Sequence, residues 1–89
     1  MPLDKDKKDK IIKKFQREKG DTGSPEVQVA LLTEKIANLQ GHLGEHKDDT
    51  PAKMALLEDI AKRRRLLRYL SSRSPDRYKD LVDKLKLKA

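Results

Sequence analysis

Residues 24–44 read SPEVQVALLTEKIANLQGHLG, and this stretch decides the fold. Its apolar side chains recur at alternating spacings of three and four, which places them on one side of an α-helix. They are Val29, Leu32, Ile36, Leu39 and Leu43, and Val27 and Leu31 widen the same face. Ser24, Pro25 and Glu26 are typical of a helix start, because they supply a capping hydroxyl, a residue without an N–H and an acid at the positive end of the dipole. The stretch therefore predicts an amphipathic helix that begins after Ser24 and ends near Gly44.

One further helix is predicted before this stretch and another after it. The first spans about residues 4–18 and has a narrow apolar face made of Ile11, Ile12 and Phe15. The other begins with Thr50 as the cap and Pro51 at the first helical position, and it runs to about residue 71. Its apolar face is predicted to consist of Met54, Leu57, Ile60, Ala61, Leu67 and Leu70.

A fourth helix is predicted to begin at residues 74–76, which read Ser-Pro-Asp, and its apolar stripe consists of Tyr78, Leu81, Val82 and Leu85. No segment alternates apolar and polar residues as a strand does. The fold class is therefore all-α, a single domain over residues 1–89. The second and third helices are expected to form a long antiparallel hairpin that makes the body with the C-terminal helix, while the N-terminal helix is more mobile.

The composition limits the possible partners. Charged residues make up 42% of the chain and aromatic residues 3%, and 22 Lys and Arg against 15 Asp and Glu leave a net charge of +7. Such a basic excess favours a polyanion, either nucleic acid or an anionic membrane surface, although it also serves solubility alone. Without cysteine there is neither a disulfide framework nor a thiolate metal site. With no apolar signal segment and no run long enough to span a membrane, we expect a cytoplasmic protein.

The strongest basic cluster is AKRRRLLRYLSSR, residues 61–73. No acid occurs between Asp59 and Asp76, so these arginines have no acidic neighbour in sequence. At 100° per residue one face of the helix carries Arg65, Arg68, Tyr69 and Ser72. Arginines beside a tyrosine suit phosphate binding and stacking on a base or sugar, whereas the alternative is a solvated helix face.

A second cluster lies at the other end of the hairpin, in GHLGEHKDD, residues 41–49. His42, His46 and Asp49 have a metal-like spacing, but no cysteine or clear further ligand accompanies them, so neither a metal nor another cofactor is expected. Histidines at a helix end often cap carbonyl groups or pack over the loop. The functional alternative is contact with a nucleic-acid minor groove, where a histidine donates to a sugar or base edge and a carboxylate accepts from a guanine amino group.

A third cluster surrounds the start of the second helix. Ser24 and its two successors explain the helix start, but Thr22, Gly23 and Gln28 are not needed for it. Glycine permits a positive φ or the close approach of another backbone, and helix N-termini attract anions. The loop is therefore either an ordinary turn or a contact for a phosphate or ribose.

No catalytic arrangement is found, so an enzyme is not expected. A small helical enzyme that cradles an anionic substrate is the alternative, yet no acid or polar residue is predicted inside an apolar seam, where it could support a dry pocket.

Several blocks together resemble the bacterial small-subunit ribosomal protein fifteen family. They are GDTGSPEVQVALLTEKI at 20–36, HL at 42–43, HK at 46–47, KRRRLLRYL at 62–70 and DRYKDLVDKLKLK at 76–88. The resemblance implies four helices and direct, early binding of small-subunit ribosomal RNA in its central domain. It implies two RNA sites, a three-way junction and a G–U/G–C minor-groove motif, and a place near the subunit interface. The implied partners are platform proteins and the large subunit, and some members also bind their own messenger RNA.

The resemblance also assigns residues to these two sites. The junction residues are Thr22, Gly23, Gln28, Arg65 and Tyr69, with Arg68 in the same block, and the groove residues are His42, His46 and Asp49. The chain departs from the family at Ala52, where a groove-contacting serine is usual, and at Gly41, Gly44 and Ser72. From the residues alone, a basic helical module for other nucleic acid or for an acidic protein partner is the rival interpretation.

Overall fold

The computed structural model of the protein describes residues 4–87, which form four α-helices. They are α1 (Lys5–Phe15), α2 (Pro25–Glu45), α3 (Thr50–Arg73) and α4 (Pro75–Leu85), and no strand occurs in that range. The predicted all-α class and the four helices are confirmed. The bounds differ at two ends, since α1 ends at Phe15 rather than near residue 18 and α3 continues two residues past Ser71.

The second and third helices pack side by side as the predicted antiparallel hairpin. At 1.5 Å per residue they are about 32 and about 36 Å long. Three polar side-chain contacts among residues 4–87 join α2 to α3 or to its cap residue: His42 with Asp49, Lys35 with Asp59, and Thr33 with Arg63. Each contact further from the connecting loop joins residues further apart in sequence, which is the pattern of antiparallel helices. The α1 helix packs on α2, and α4 packs on α3.

The core is aliphatic and lies toward the start of α2. Four side chains are the largest fully buried ones: Val27, Val29, Leu39 and Leu70. Phe15 from α1 and Leu81 from α4 form one cluster with Val27, Val29 and Leu70, so this end of the hairpin holds all four helices together. Burying an aliphatic side chain of this size contributes about 1.5–3 kcal/mol. The predicted seam of α2 is confirmed at Val29, Ile36 and Leu39, while Leu32 and Leu43 are half-buried.

The predicted apolar face of α3 is wrong in its N-terminal half. Met54 and Leu57 are 55% and 63% exposed, and Ala61 is exposed as well. Steps of three residues advance only 300°, so a stripe built on them drifts around the helix. The side chains that face α2 are spaced by four and three instead: Ala52, Leu56, Asp59, Arg63, Leu66 and Leu70. The buried face of α3 is therefore less apolar than predicted.

An acidic residue lies inside that face. Asp59 is 3% exposed, and its carboxylate oxygens lie 3.4 and 3.5 Å from Nζ of Lys35. One turn along, the guanidinium of Arg63 donates to the Thr33 hydroxyl at 3.2 Å. The expectation that no acid or polar residue sits in an apolar seam is therefore wrong. The buried carboxylate is tolerated because the Lys35 side chain of α2 supplies its counter-charge.

The helix caps follow the sequence only in part. Ser24 caps α2 as predicted, since its hydroxyl oxygen accepts from the backbone N–H of Val27 at 3.3 Å. The cap of α3 is Asp49 rather than Thr50, and its Oδ1 accepts from the N–H of Ala52 at 3.1 Å. A capping side chain accepts from the N–H two or three residues further along, and Ala52 is three residues after Asp49. Thr50 is already the first residue of the helix, so it does not act as the cap. Ser74 precedes α4 without a side-chain cap bond.

The α1 helix is docked through a narrow face, as predicted. Phe15 is buried, Ile11 and Ile12 are half-buried, and the remaining side chains of the helix are exposed. Lys84 of α4 lies over the Phe15 ring at 4.8 Å and donates to the carbonyl of Lys14 at 2.8 Å, so the end of α1 also contacts α4. Greater mobility of α1 stays a prediction. None of the helices among residues 4–87 combines the length and the apolar character that a membrane crossing requires.

Candidate nucleic-acid interface

The loop that precedes α2 is organised by Asp21, a residue that the sequence analysis assigned no role. Its Oδ1 accepts from the N–H groups of Gly23 and Ser24 at 3.1 and 2.9 Å, and its Oδ2 accepts from the N–H of Arg17 at 3.0 Å. Hydrogen bonding to Ser24, then to the Arg17 N–H, lowers the pKa of Asp21 to about 2, because these donors favour the carboxylate. An aspartate two or three residues ahead of N–H donors is the signal that could have identified this turn.

Gln28 is tied to the same loop. Its Nε2 donates to the carbonyl of Gly23 at 2.7 Å, so the loop is held from the first turn of α2 as well as by Asp21. Thr22, Gly23 and Gln28 all remain exposed. A rigid loop with exposed side chains presents them to a partner at little cost in conformational entropy.

Among residues 4–87 nothing requires a glycine at position 23. The positive φ in this region belongs to Gly20, at 89°, and an added Cβ on Gly23 would meet no heavy atom within 4 Å. Of the two reasons that the sequence offered for this glycine, a positive φ is thus wrong. The close approach of another backbone remains, and that backbone would lie outside the chain.

The predicted basic face of α3 is exposed. Arg65, Arg68, Tyr69 and Ser72 all lie at the surface, and neither arginine forms an ion pair within residues 4–87. Tyr69 is 51% exposed, and the guanidinium of Arg73 lies 5.3 Å from its ring centre. One face of the ring is therefore engaged by a cation, and the rest of the side chain is accessible for stacking.

Gln28 of α2 and Arg65 of α3 line one groove. A groove of about 500 Å³ between α2 and α3 is lined by Gln28, Leu31, Leu32, Lys62, Arg65 and Leu66. Gln28 and Arg65, predicted for the same site on separate helices, are thus brought together. Lys62 was not predicted as a site residue, although it belongs to the basic block of residues 61–73. Its position in the groove depends on how α3 is rotated against α2, which the sequence does not show. The groove combines an apolar floor, two cations and an amide at its edge.

Arg68 is placed differently from the other predicted junction residues. It lines a second groove, between α3 and α4, together with Arg64 and Tyr78. The structure therefore does not bring Arg68 into the groove that holds Gln28 and Arg65. On the helical wheel Arg68 lies on the opposite flank of the exposed ridge, because three residues correspond to a rotation of 300°.

An ion pair anchors α4 beside the loop. Arg77 donates to Glu26 through Nε and one terminal nitrogen, both at 2.6 Å, which is the bidentate geometry that guanidinium and carboxylate favour. This hydrogen bonding raises the pKa of Arg77 and lowers that of Glu26, and Tyr69 and Asp21 raise the pKa of Arg77 further. The pair thus ties α4 to the start of α2.

The other predicted site lies at the far end of the hairpin. Nε2 of His42 is 2.6 Å from Oδ2 of Asp49, and the rings of His42 and His46 lie 4.7 Å apart with a tilt of 32°. Hydrogen bonding to His42 and to the Ala52 N–H lowers the pKa of Asp49. Since a carboxylate can only accept, Nε2 of His42 carries the proton, and Nδ1 is left for an external partner. The alternative in which these histidines cap carbonyl groups does not hold for the His42 ring, which contacts Asp49 instead.

The polar atoms at this end are only partly used within the described part of the chain. Among residues 4–87 no group of three or more His, Cys, Asp or Glu side chains is arranged to hold a metal ion. His42 and Asp49 are half-buried and His46 is exposed. Each oxygen of Asp49 accepts one bond within the chain and keeps further lone-pair capacity, so the carboxylate can still accept from an exocyclic amine.

Known proteins are similar to this chain over almost its whole length. The family model described as ribosomal protein S15 matches residues 8–88. The chain is 51% identical over 88 residues to small ribosomal subunit protein uS15 of Lactobacillus gasseri, which covers 99% of both chains. It is 52% identical over 82 residues, 92% of both chains, to the protein of that name from Bordetella parapertussis, and 49% identical over 88 residues, 99% of both, to that from Natranaerobius thermophilus. A match that covers nearly every residue at this identity, on an all-helical fold with an exposed arginine ridge, shows that the chain belongs to the ribosomal protein S15 family.

Proposed function

We propose that this protein is a structural constituent of the small ribosomal subunit that binds ribosomal RNA at two sites, one at each end of its helical hairpin. The site at the loop end takes a three-way junction, and the site at the far end takes a G–U/G–C minor groove. The observation that carries the proposal is the groove that Gln28 and Arg65 share, because Gln28 also holds the exposed loop through its bond to the Gly23 carbonyl. Family membership supports the same reading.

The chemistry of the junction site suits RNA. Arg65 and Lys62 supply positive charge for phosphates, Tyr69 offers an aromatic face, and Gln28 holds a loop whose Thr22 hydroxyl is free at the surface. Single-stranded and junction nucleotides expose bases that stack on aromatic side chains and 2′-hydroxyls that hydrogen-bond. The absence of a Cβ at residue 23 leaves room for a sugar-phosphate backbone beside the loop.

The geometry of the hairpin sets the distance between the two sites. Gln28 and His42 are both on α2, fourteen residues apart, which is about 21 Å along the axis and nearly four full turns. They therefore lie on almost the same side of the helix, so one RNA helix running along α2 can contact both. His42 supplies Nδ1 and Asp49 its spare lone pairs, which match a 2′-hydroxyl and a guanine amino group.

Within this proposal the protein fixes the geometry of the junction, and platform proteins then join the assembling particle. Its other partners would be the large subunit across the interface and, in one further role, its own messenger RNA. These partners follow from the family alone.

Filter binding tests the central claim. The protein is titrated against a three-way-junction RNA that carries the groove motif and against duplex DNA of equal charge, at physiological salt. We expect the junction RNA to bind at least about a hundredfold more tightly, because duplex DNA offers only the charge-dependent part of the affinity. Equal affinity for both would support the rival, a general basic module, and would refute the proposal. Footprinting on the small-subunit RNA of the source organism then locates the two sites.

A further inference from the structure

The second groove, between α3 and α4, is a basic surface of which only Arg68 was predicted for the junction site. Its floor is apolar and half-buried, made of Ile60, Leu67 and Tyr78, and its rim carries Arg63, Arg64 and Arg68. No acidic residue lines it. Three guanidinium groups line one concave surface without a carboxylate among them, so the groove has a positive electrostatic potential. Solvation of the helix surface alone does not require such a cluster of like charges.

Arg63 is the most informative of the three. Its side chain is half-buried, and its hydrogen-bond partner within residues 4–87 is the neutral Thr33 hydroxyl, at 3.2 Å. Burial lowers the pKa of Arg63, because the charged form is partly removed from water and no carboxylate compensates. A guanidinium has five N–H donors, and the bond to Thr33 uses one of them. Thr33 thus holds the positive charge in place and does not neutralise it.

The two grooves flank a single ridge. Arg65 and Lys62 face the groove on the α2 side, and Arg64 and Arg68 face the groove on the α4 side. The ridge between them is one helix, about 10–12 Å wide with its side chains. All three cations in the second groove are arginines, which bind phosphate through two parallel hydrogen bonds, and the groove continues the surface assigned to RNA.

We propose that the α3–α4 groove binds a second RNA phosphate backbone, so that α3 lies between two strands of the same RNA. The inference rests on the proposed function, since it extends the junction site to the other flank of α3. An acidic protein segment is the other occupant of matching charge. Continuity with the Arg65 ridge favours RNA.

Charge-removing variants test the inference on the intact protein. The double variant Arg64→Gln/Arg68→Gln removes the exposed cations of the second groove, and Arg65→Gln removes one cation of the first. Lys8→Gln is the matched control, because Lys8 is an exposed cation on α1, away from both grooves. Circular dichroism melting of each variant establishes that it is folded. The affinity for the three-way-junction RNA is then measured by filter binding at several salt concentrations.

We expect the double variant to lower the affinity about ten- to a hundredfold and to reduce the slope of log K against log salt by roughly 1.4–1.8, which corresponds to two lost phosphate contacts. The Lys8→Gln variant should change neither quantity beyond error. If the double variant matches this control while Arg65→Gln loses affinity, the inference is overturned, the proposed function stands, and the groove is left for an acidic protein segment. If none of the variants loses affinity, the proposed function fails as well.

Discussion

Replacing Gly23 with alanine tests which of two reasons explains this glycine: the backbone conformation of the free protein, or the close approach of a bound partner. In the free protein the residue does not have a positive φ, and an added Cβ meets nothing within 4 Å. In a complex with RNA the same Cβ would project from an exposed loop that is held by Asp21 and by Gln28. We therefore expect Gly23→Ala to leave the fold intact and to impair binding.

Gly23→Ala is expected to increase the stability of the free protein and to decrease its affinity for RNA. Alanine at a compatible backbone position stabilises a protein by about 0.4–1 kcal/mol, because it narrows the unfolded ensemble. For a domain of this size that corresponds to a rise in Tm of roughly 2–8 °C. A methyl group forced into a close contact typically costs about 1–3 kcal/mol, which is roughly a 5- to 150-fold loss of affinity.

Two other glycines provide the comparisons. Gly20 has a φ of 89°, so Gly20→Ala should destabilise the fold by about 1–2 kcal/mol. Gly41 lies inside α2 with open space around it, so Gly41→Ala should stabilise the helix by about 1 kcal/mol. Because Gly41 is far from the loop, its variant should bind a junction RNA that lacks the groove motif as the wild type does.

The assay pairs urea denaturation with filter binding to that junction RNA. If Gly23→Ala bound RNA like the wild type, the loop would not approach the RNA closely, and the assignment of this loop to the interface would be refuted. A loss of stability greater than about 1 kcal/mol would refute the structural reasoning instead, since the free protein would then need the glycine.

Three further outcomes can be measured. Glu26→Gln should destabilise the protein by about 1–3 kcal/mol in urea denaturation, because it weakens the bidentate pair with Arg77; a change under about 0.5 kcal/mol would contradict this. The pKa of Asp21 is depressed to about 2 in the folded protein, so its contribution to stability is complete above pH about 4 and is lost as the pH falls through about 2. Acid titration should accordingly show a smaller loss between pH 4 and 2 for Asp21→Asn than for the wild type, and identical curves would count against the loop geometry. His42→Phe removes the bond to Asp49 and should weaken binding only for RNA that carries the groove motif; an equal loss on junction RNA alone would speak against two separate sites.

The sequence predicted the helices of this fold better than it predicted their faces. Alternating spacings of three and four identified the α2 seam correctly at Val29, Ile36 and Leu39. In α3 the apolar residues Met54 and Leu57 predicted a buried face, but both side chains are exposed. Local hydrophobicity cannot place a helix face when the buried positions themselves carry charges, because the partner of such a charge lies on another helix.

The candidate site was predictable at the level of its residues. The exposed arginine and tyrosine ridge follows from the phase of a helix and the absence of acids between residues 59 and 76. The convergence of Gln28 with Arg65, and the separation of Arg68 from them, depend on how α2, α3 and α4 rotate against one another. Sequence spacing along a single helix does not contain that rotation.

The ion pair between Lys35 of α2 and the buried Asp59 of α3 fixes how the two helices align. If α3 slid along α2 by one helical turn, about 5.4 Å, the buried carboxylate would lose its cation, and an unpaired buried charge costs about 3–5 kcal/mol. Only one alignment of the two helices is therefore stable, and the span between the ends of the hairpin is a fixed length. Under the proposed two-site binding, an RNA that engages both ends must match that length, so we expect weaker binding to an RNA whose two motifs are correct in sequence but wrongly spaced.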